Sequence, residues 1–409
     1  MSHAGRTPPF ATPIYRNPAM LRLLALLLLV LPPLLAAHEG EHPSAAPATA
    51  LGASAAFDGD GRLWLADVVD GRVRLRQSGD LGRHFGPATR VNAEAEDIDH
   101  AGENRPKLTF GPAGEIYVSW SQRRPKKWSS FVRFARSLDG GRHFSAPITV
   151  HRDRGEATHS FDALAVDGAG RPLIAWIDAR DHLAAMQAGQ AYAGLAIYYA
   201  WSDDRGASFQ AERRLADHSC ECCRLALVRD PSGAVRALFR AVSGSDVRDH
   251  AYALLPTDGS AAQASRATFS GWQVAACPEQ GPGLAFGAGG VAHAVWYEAS
   301  EGPAIWYGQL DPGHAPRHML KLGTAGARHA DVASSGRRVW VAWNQLSADG
   351  YTLMLRSSGD GGISFGAPRT LARASVAAST PQLLVHEGQA YVAWNTAAGF
   401  QLLPAERAP

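Results

Sequence analysis

Three things are scarce in this sequence: charge imbalance, cysteine and helical periodicity. Its 409 residues carry 40 Lys and Arg against 38 Asp and Glu, a net charge of +2. Nucleic-acid binders concentrate a basic excess, so no nucleic-acid partner is expected. Past residue 37 no segment keeps a long 3.6-residue apolar period, which excludes a helical bundle. The four cysteines, Cys220, Cys222, Cys223 and Cys277, all fall in the second half of the chain. Long apolar runs are also missing, apart from one. Residues 20–37 hold Arg22, a leucine-rich core and a small-residue end. The run is short for a membrane span and is broken by Pro32 and Pro33. It has the pattern of a secretory signal.

Residues 1–37 are therefore expected to be a signal peptide cleaved near Ala36 or Ala37, with Met20 as an alternative start. The expected location is periplasmic or secreted, with membrane contact only through the signal. No cysteine follows the run, so a lipid anchor is not expected, and export permits disulfides. Residues 38–50 contain His38, His42 and a Pro/Ala-rich stretch that reads as a tether. Residues 51–409 remain as one domain.

What is present is repetition. The phrase Ser-x-Asp-x-Gly-x-x-Phe occurs at Ser78–Phe85, Ser137–Phe144, Ser202–Phe209 and Ser358–Phe365. Asp and Ser can hydrogen-bond the backbone of their own turn, Gly supplies positive φ, and the Phe plugs the space beneath. A second phrase, a strand ending on Trp or another large apolar residue, recurs seven times. Its ends are Ala66, Trp120, Trp176, Phe239, Trp296, Trp343 and Trp394. The spacing of roughly fifty to sixty residues suits the blades of a propeller. The expected fold is all-β: a seven-bladed β-propeller of four-stranded antiparallel blades. A strand near residues 49–57 is expected to complete a last unit otherwise limited to three strands.

The first phrase resembles the Asp box, or BNR repeat, of the sialidase-like β-propeller superfamily. The resemblance implies that the boxes sit between third and fourth strands, on the face away from the ligand site. It also admits a six-bladed ring of sialidase type.

Counting back about fifteen residues from each second-strand end, a hairpin's worth, locates the entrances to the inner strands. They hold Glu103, Asn104 and Arg105; His159 and Asp162; Cys222, Cys223 and Arg224; Cys277, Glu279 and Gln280; Arg328, His329 and Asp331; and Thr380 with Gln382. Loops after the second strands add Arg123, Asp178, Arg180, Tyr297, Glu298 and Asn344. Arg105, Arg224 and Arg328 hold nearly equivalent positions in alternate units. Converging guanidinium groups suit an anion, and each offers a planar fork to a carboxylate. Their alternative role is ion pairing with Glu103, Asp162 and Asp331. The expected ligand set is Arg105, Asp162, Asp178, Arg180, Arg224, Arg328 and His329. The expected partner is a small anionic molecule or a glycan, and a protein partner remains open.

Sialidases hold the substrate carboxylate with three arginines and pair a Tyr nucleophile with Glu, while an Asp acts as acid/base. The resemblance thus nominates Tyr297 and Glu298, with Asp97 or Asp99, for a glycoside hydrolase. The match is incomplete. The family's Arg-Ile-Pro motif is reduced here to Arg105-Pro106. Neighbours on a strand also point oppositely, so Tyr297 and Glu298 cannot pair without a bend.

The cysteines leave two readings open. Neighbouring entrances bring Cys277 to residues 220–223, so a disulfide, assigned to Cys223 and Cys277, would staple two blades. Alternatively Cys220, Cys222, Cys223 and Cys277, with His218 nearby, form a soft-ligand set for copper or zinc. After cleavage at Ala37, His38 would carry a free amine beside its imidazole, with His42 close by, a second chelating arrangement.

Overall fold

A computed structural model describes residues 51–406. The signal, the tether and the chelating pair His38 and His42 lie outside the described residues. Seven antiparallel sheets follow one another along the chain, and their inner strands neighbour in a closed ring. In the first sheet the strands are Ser54–Phe57, Leu63–Val69, Arg72–Ser78 and Thr89–Arg90. Sheets of the same order follow, and in the second sheet two segments, Ile98–Asp99 and Lys107–Phe110, both pair with the second strand. This is a seven-bladed propeller, and the six-bladed alternative is set aside.

All seven apolar phrases are second strands, the last four being Val235–Arg240, Ala292–Glu298, Arg338–Ser347 and Gln389–Thr396. Central strands of a blade are covered on both faces, so they read as near-continuous apolar runs. Their tryptophans Trp120, Trp176, Trp296, Trp340, Trp343 and Trp394 are fully buried between blades. Helix is confined, among the described residues, to Arg180–Gln187 and a single 3-10 turn, and no helix is long and apolar enough to cross a membrane.

Closure differs from the expectation in one respect. The first described strand, Ser54–Phe57, pairs with Leu63–Val69 as the inner strand of its own blade. Blade seven keeps three strands, Gln382–His386, Gln389–Thr396 and Gly399–Pro404. Only twelve residues separate Ser54 from Ala66, a tight hairpin, so local pairing wins over reaching back to the far end of the chain. The boundary between blades seven and one is held by side chains instead. Gln382 accepts from the Ala55 amide (3.0 Å), Asn395 donates to the Leu51 carbonyl (3.1 Å) and Phe57 stacks on His386 at 4.5 Å.

Each Asp box occupies the turn between third and fourth strands, so all four share one face. In the fourth box the Gly362 amide donates to Ser358 Oγ (2.9 Å), and the Ser364 amide donates to Asp360 Oδ1 (3.0 Å). The box Phe then reaches the preceding blade. Phe209 meets Phe134 edge-on at 5.0 Å, Phe365 meets Tyr307 at 4.7 Å, and Phe85 meets Phe400 at 5.8 Å. The box is thus a rivet between blades as well as a turn.

Candidate functional site

The opposite face carries the inner-strand entrances, and there one carboxylate joins four blades. Glu103, from blade two, is buried. Its Oε1 pairs with Arg224 of blade four and lies 3.1 Å from His329 Nδ1 of blade six. Its Oε2 accepts from the Gly281 amide of blade five at 2.6 Å. Arg224 spends its other nitrogen on the Ala330 carbonyl at 2.7 Å. Gln280 accepts from the His329 amide (3.1 Å), and Arg105 donates to the Thr380 carbonyl (3.1 Å) of blade seven. Burial alone would raise the Glu103 carboxyl, but Arg224 and His329 outweigh it and hold the group down at about 2.

Beside this hub, Arg105 and Lys107 are recessed in the channel. Lys107 donates to the Arg105 carbonyl oxygen. Burial, and then Arg224, lower Arg105 to about 10. Burial lowers Lys107 to about 8, with Arg105 and Arg224 adding repulsion and Asp162 opposing it. Burial raises Asp331, whose carboxylate accepts from the Leu383 amide at 2.8 Å. Desolvation is thus the first cause of both lowered cations, and the neighbouring carboxylates recover only part of it.

Of the three arginines, Arg105 and Arg224 meet here. Arg328 makes no ion pair among the described residues, and its buried Nε has no hydrogen-bond partner. Its neighbour His329 takes the place beside Glu103. The cause is local: the inner strand Ala327–Ser335 is bulged between Arg328 and Asp331, and His329 has φ +52°. An extra residue in one strand re-aims the side chains on either side of it. The same device occurs at Phe161, φ +52°, between Ser160 and Ala163 in blade three. Asp162, at that bulge, is turned to blade two and accepts from Ser119 Oγ (2.6 Å) and Ser121 Oγ (3.0 Å).

Asp178 and Arg180 belong to a separate cluster at the mouth of blade three. Asp178 is fully buried and accepts from Arg180 Nε (3.0 Å) and Nη2 (2.7 Å) and from Trp176 Nε1 (2.8 Å). Arg180 continues to Glu212 at 2.8 Å. His159 faces acceptors on both sides: the Ser130 carbonyl at 2.8 Å from Nδ1, and Asp153 at 3.2 Å from Nε2. His151 stacks on it at 3.8 Å and is pushed down to about 2 by burial and by His159. His151, Asp153 and Glu212 were not singled out in the sequence. They stand outside every repeated phrase, and only their flanking of the His159 entrance could have suggested them.

The hydrolase candidates stand apart. Tyr297 packs edge-on to Trp272 at 5.7 Å, and its carbonyl accepts from Arg240. Glu298 is buried and its carboxylate accepts from Ser300 Oγ at 3.1 Å. Asp97 and Asp99 are held by Arg123, at 3.5 and 2.5 Å, on blade two. No hydrogen bond among the described residues links the Tyr297–Glu298 pair to either aspartate.

All four cysteines are free, so the expected Cys223–Cys277 bridge is not formed. Cys223 is buried and turned to Cys220, whose sulfur is 3.2 Å away. Cys277 is exposed and lies instead by Cys222 and Glu221. His218 points away from the thiols, with Nδ1 2.9 Å from the Ala193 carbonyl.

No protein-family description and no curated protein matches the sequence. Solved structures do match in fold, and they include sialidases and polysaccharide lyases. A PL25 ulvan lyase bound to -[GlcA(1-4)Rha3S]- superposes with TM-score 0.57 at 10% identity, covering 86% of this chain and 91% of the lyase. The polysaccharide lyase Uly1 gives TM-score 0.52 at 9% identity, over 91% and 94% of the two chains. A point mutant of the NanB sialidase from Streptococcus pneumoniae gives TM-score 0.47 at 10% identity, over 84% and 82%. At such identities the similarity is one of fold alone, and it agrees with the strand order on the page: this chain is a seven-bladed β-propeller.

Proposed function

We propose that this propeller is an exported binding protein. Its channel mouth takes a small carboxylate-bearing ligand, such as an acidic sugar, between Arg105, Lys107, Arg224 and His329. One observation carries the reading. Arg105 and Lys107 are both held below their ordinary ranges, first by burial and then by neighbouring cations, and the carboxylates of Glu103, Asp331 and Asp162 offset this only in part. An anion placed there relieves that repulsion and supplies the acceptor. The planar fork of Arg105 suits a carboxylate, and the ammonium of Lys107 adds a compact charge. Binding without hydrolysis is favoured because Tyr297 and Glu298 engage different neighbours from Asp97 and Asp99.

The test is calorimetry with glucuronate and N-acetylneuraminate as probes, run in buffers of different ionisation heat. With Lys107 near 8 against an ordinary 10.5, the group is about half-charged at pH 8. An anion favours the charged form, so binding at pH 8 takes up a fraction of a proton. At pH 6 the uptake vanishes because Lys107 is already charged. Affinity falls as pH rises above about 8, and K107M removes both effects. Binding that is indifferent to buffer and to Lys107, or no binding of either acid, refutes the proposal. Turnover of a fluorogenic sialoside that is lost in Y297F would replace it with the hydrolase reading.

A further inference from the structure

The channel does not use the cysteines. Residues 220–223 lead into the inner strand of blade four, and Cys277 lies on the passage into blade five. We propose that Cys220, Cys222, Cys223 and Cys277 bind one thiophilic d10 cation, copper(I) or zinc(II), at this boundary.

The sulfur positions carry the argument. Cys220 Sγ lies 3.8 Å from Cys222 Sγ and 3.2 Å from Cys223 Sγ, and all three sulfurs fall within 4.8 Å of one another. A tetrahedral site with metal–sulfur bonds of about 2.3 Å needs sulfurs about 3.8 Å apart. The Cys220–Cys222 separation already fits, and the Cys220–Cys223 pair must open by about 0.6 Å. Cys277 lies near Cys222 on the adjacent passage but outside the three-sulfur cluster, so it reaches a fourth position only by moving inward. The backbone fixes Cys220, because its amide donates to the Arg240 carbonyl at 2.9 Å.

A second, independent feature points to an anionic complex. One copper(I) with three thiolates, or one zinc(II) with four, carries two negative charges. Two guanidinium groups, of Arg240 and Arg248, lie beside the thiols and are buried. Arg240 Nε is a buried donor without a hydrogen-bond partner, although other nitrogens of Arg240 reach the carbonyls of Gln280 (3.1 Å) and Tyr297 (2.8 Å); Arg248 Nη1 also lacks a hydrogen bond and has only the Glu221 carboxylate at 3.6 Å. Thiolate sulfurs would give both donors acceptors and balance the charge of Arg240, which has no ion pair among the described residues.

The measurement is an anaerobic titration of the reduced full chain, with copper(I) against a bicinchoninate competitor and zinc(II) against a chromophoric chelator. One ion per chain is expected, with an X-ray absorption shell of sulfur at about 2.3 Å. Loading is expected to protect the thiols from alkylation, a readout that needs no mutant. Cys277 is exposed, so C277S keeps the fold. It lowers zinc affinity more than about tenfold if four sulfurs ligate, and leaves copper(I) nearly unchanged if three suffice. The double variant H38A/H42A keeps the ion. An ion surrounded by nitrogen and lost in that double variant overturns the proposal, as do thiols alkylated equally fast with and without metal.

Discussion

Replacing Glu103 with alanine is expected to destabilise the folded chain by about 3–5 kcal/mol, because it strands Arg224 as an uncompensated buried charge. The Gly281 amide and His329 Nδ1 lose their acceptor at the same time. The isosteric Glu103→Gln keeps the shape and removes only the charge, so it separates electrostatics from packing. The wild-type pH dependence gives the sign. The folded Glu103 is depressed to about 2 from an ordinary 4.5. Its contribution is therefore fully present above about pH 4.5 and is lost as pH falls toward 2; the shift corresponds to about 3 kcal/mol. Denaturant unfolding of both variants between pH 3 and pH 7 tests this. A Glu103→Gln chain as stable as wild type at pH 7, with the same loss on acidification, would show that the hub contributes nothing.

Tyr307→Ala is the second large effect, also about 3–5 kcal/mol, from the cavity it leaves. Tyr307 is fully buried in blade five, and the fourth Asp box docks on it. A Cβ at Gly362 would stand 1.9 Å from the Tyr307 hydroxyl, and Phe365 lies edge-on to its ring at 4.7 Å. The hydroxyl also meets His293 Nδ1 at 2.7 Å. Tyr307→Phe keeps the ring and removes that single bond, so it costs only about 1 kcal/mol. The two variants separate packing from hydrogen bonding at one blade boundary. Equal costs for both would mean that the hydroxyl, and not the ring, holds the box in place.

The scaffold could be read from the sequence because it is written several times. A buried second strand followed by a turn produces the same apolar phrase in every blade, whatever else that blade does. The inner-strand entrances could be placed by counting, since a hairpin has a nearly fixed length. Glu103, Arg105 and Arg224 were located in that way. Counting failed where the backbone departs from regular alternation. One bulge at His329 exchanges Arg328 for a histidine, and no residue type in Ala-Arg-His-Ala-Asp announces it. The cluster of His151, Asp153 and Glu212 gathers from two separate stretches of chain and shares no repeat. The cysteine pairing was misjudged for a related reason. The count put Cys277 beside the right loop, but not which sulfur would face it.

Of the seven boundaries around the ring, six are crossed by a loop of the chain and one is not. At that one, between blades seven and one, contact rests on side chains alone: Gln382, Asn395, the stacked Phe57 and His386, the Phe85–Phe400 pair, and the apolar cluster of Ala55, Leu63 and Leu65 with Ala393. Severing any other boundary leaves its two blades tethered a few residues apart, so they find each other again at high local concentration. Severing this one turns a closed cycle into an open arc whose ends can drift apart by the whole width of the molecule. Two apolar blade faces are then offered to solvent, or to the opened end of another copy. The side chains at this boundary therefore decide whether the ring stays closed or gains the means to link copies into chains.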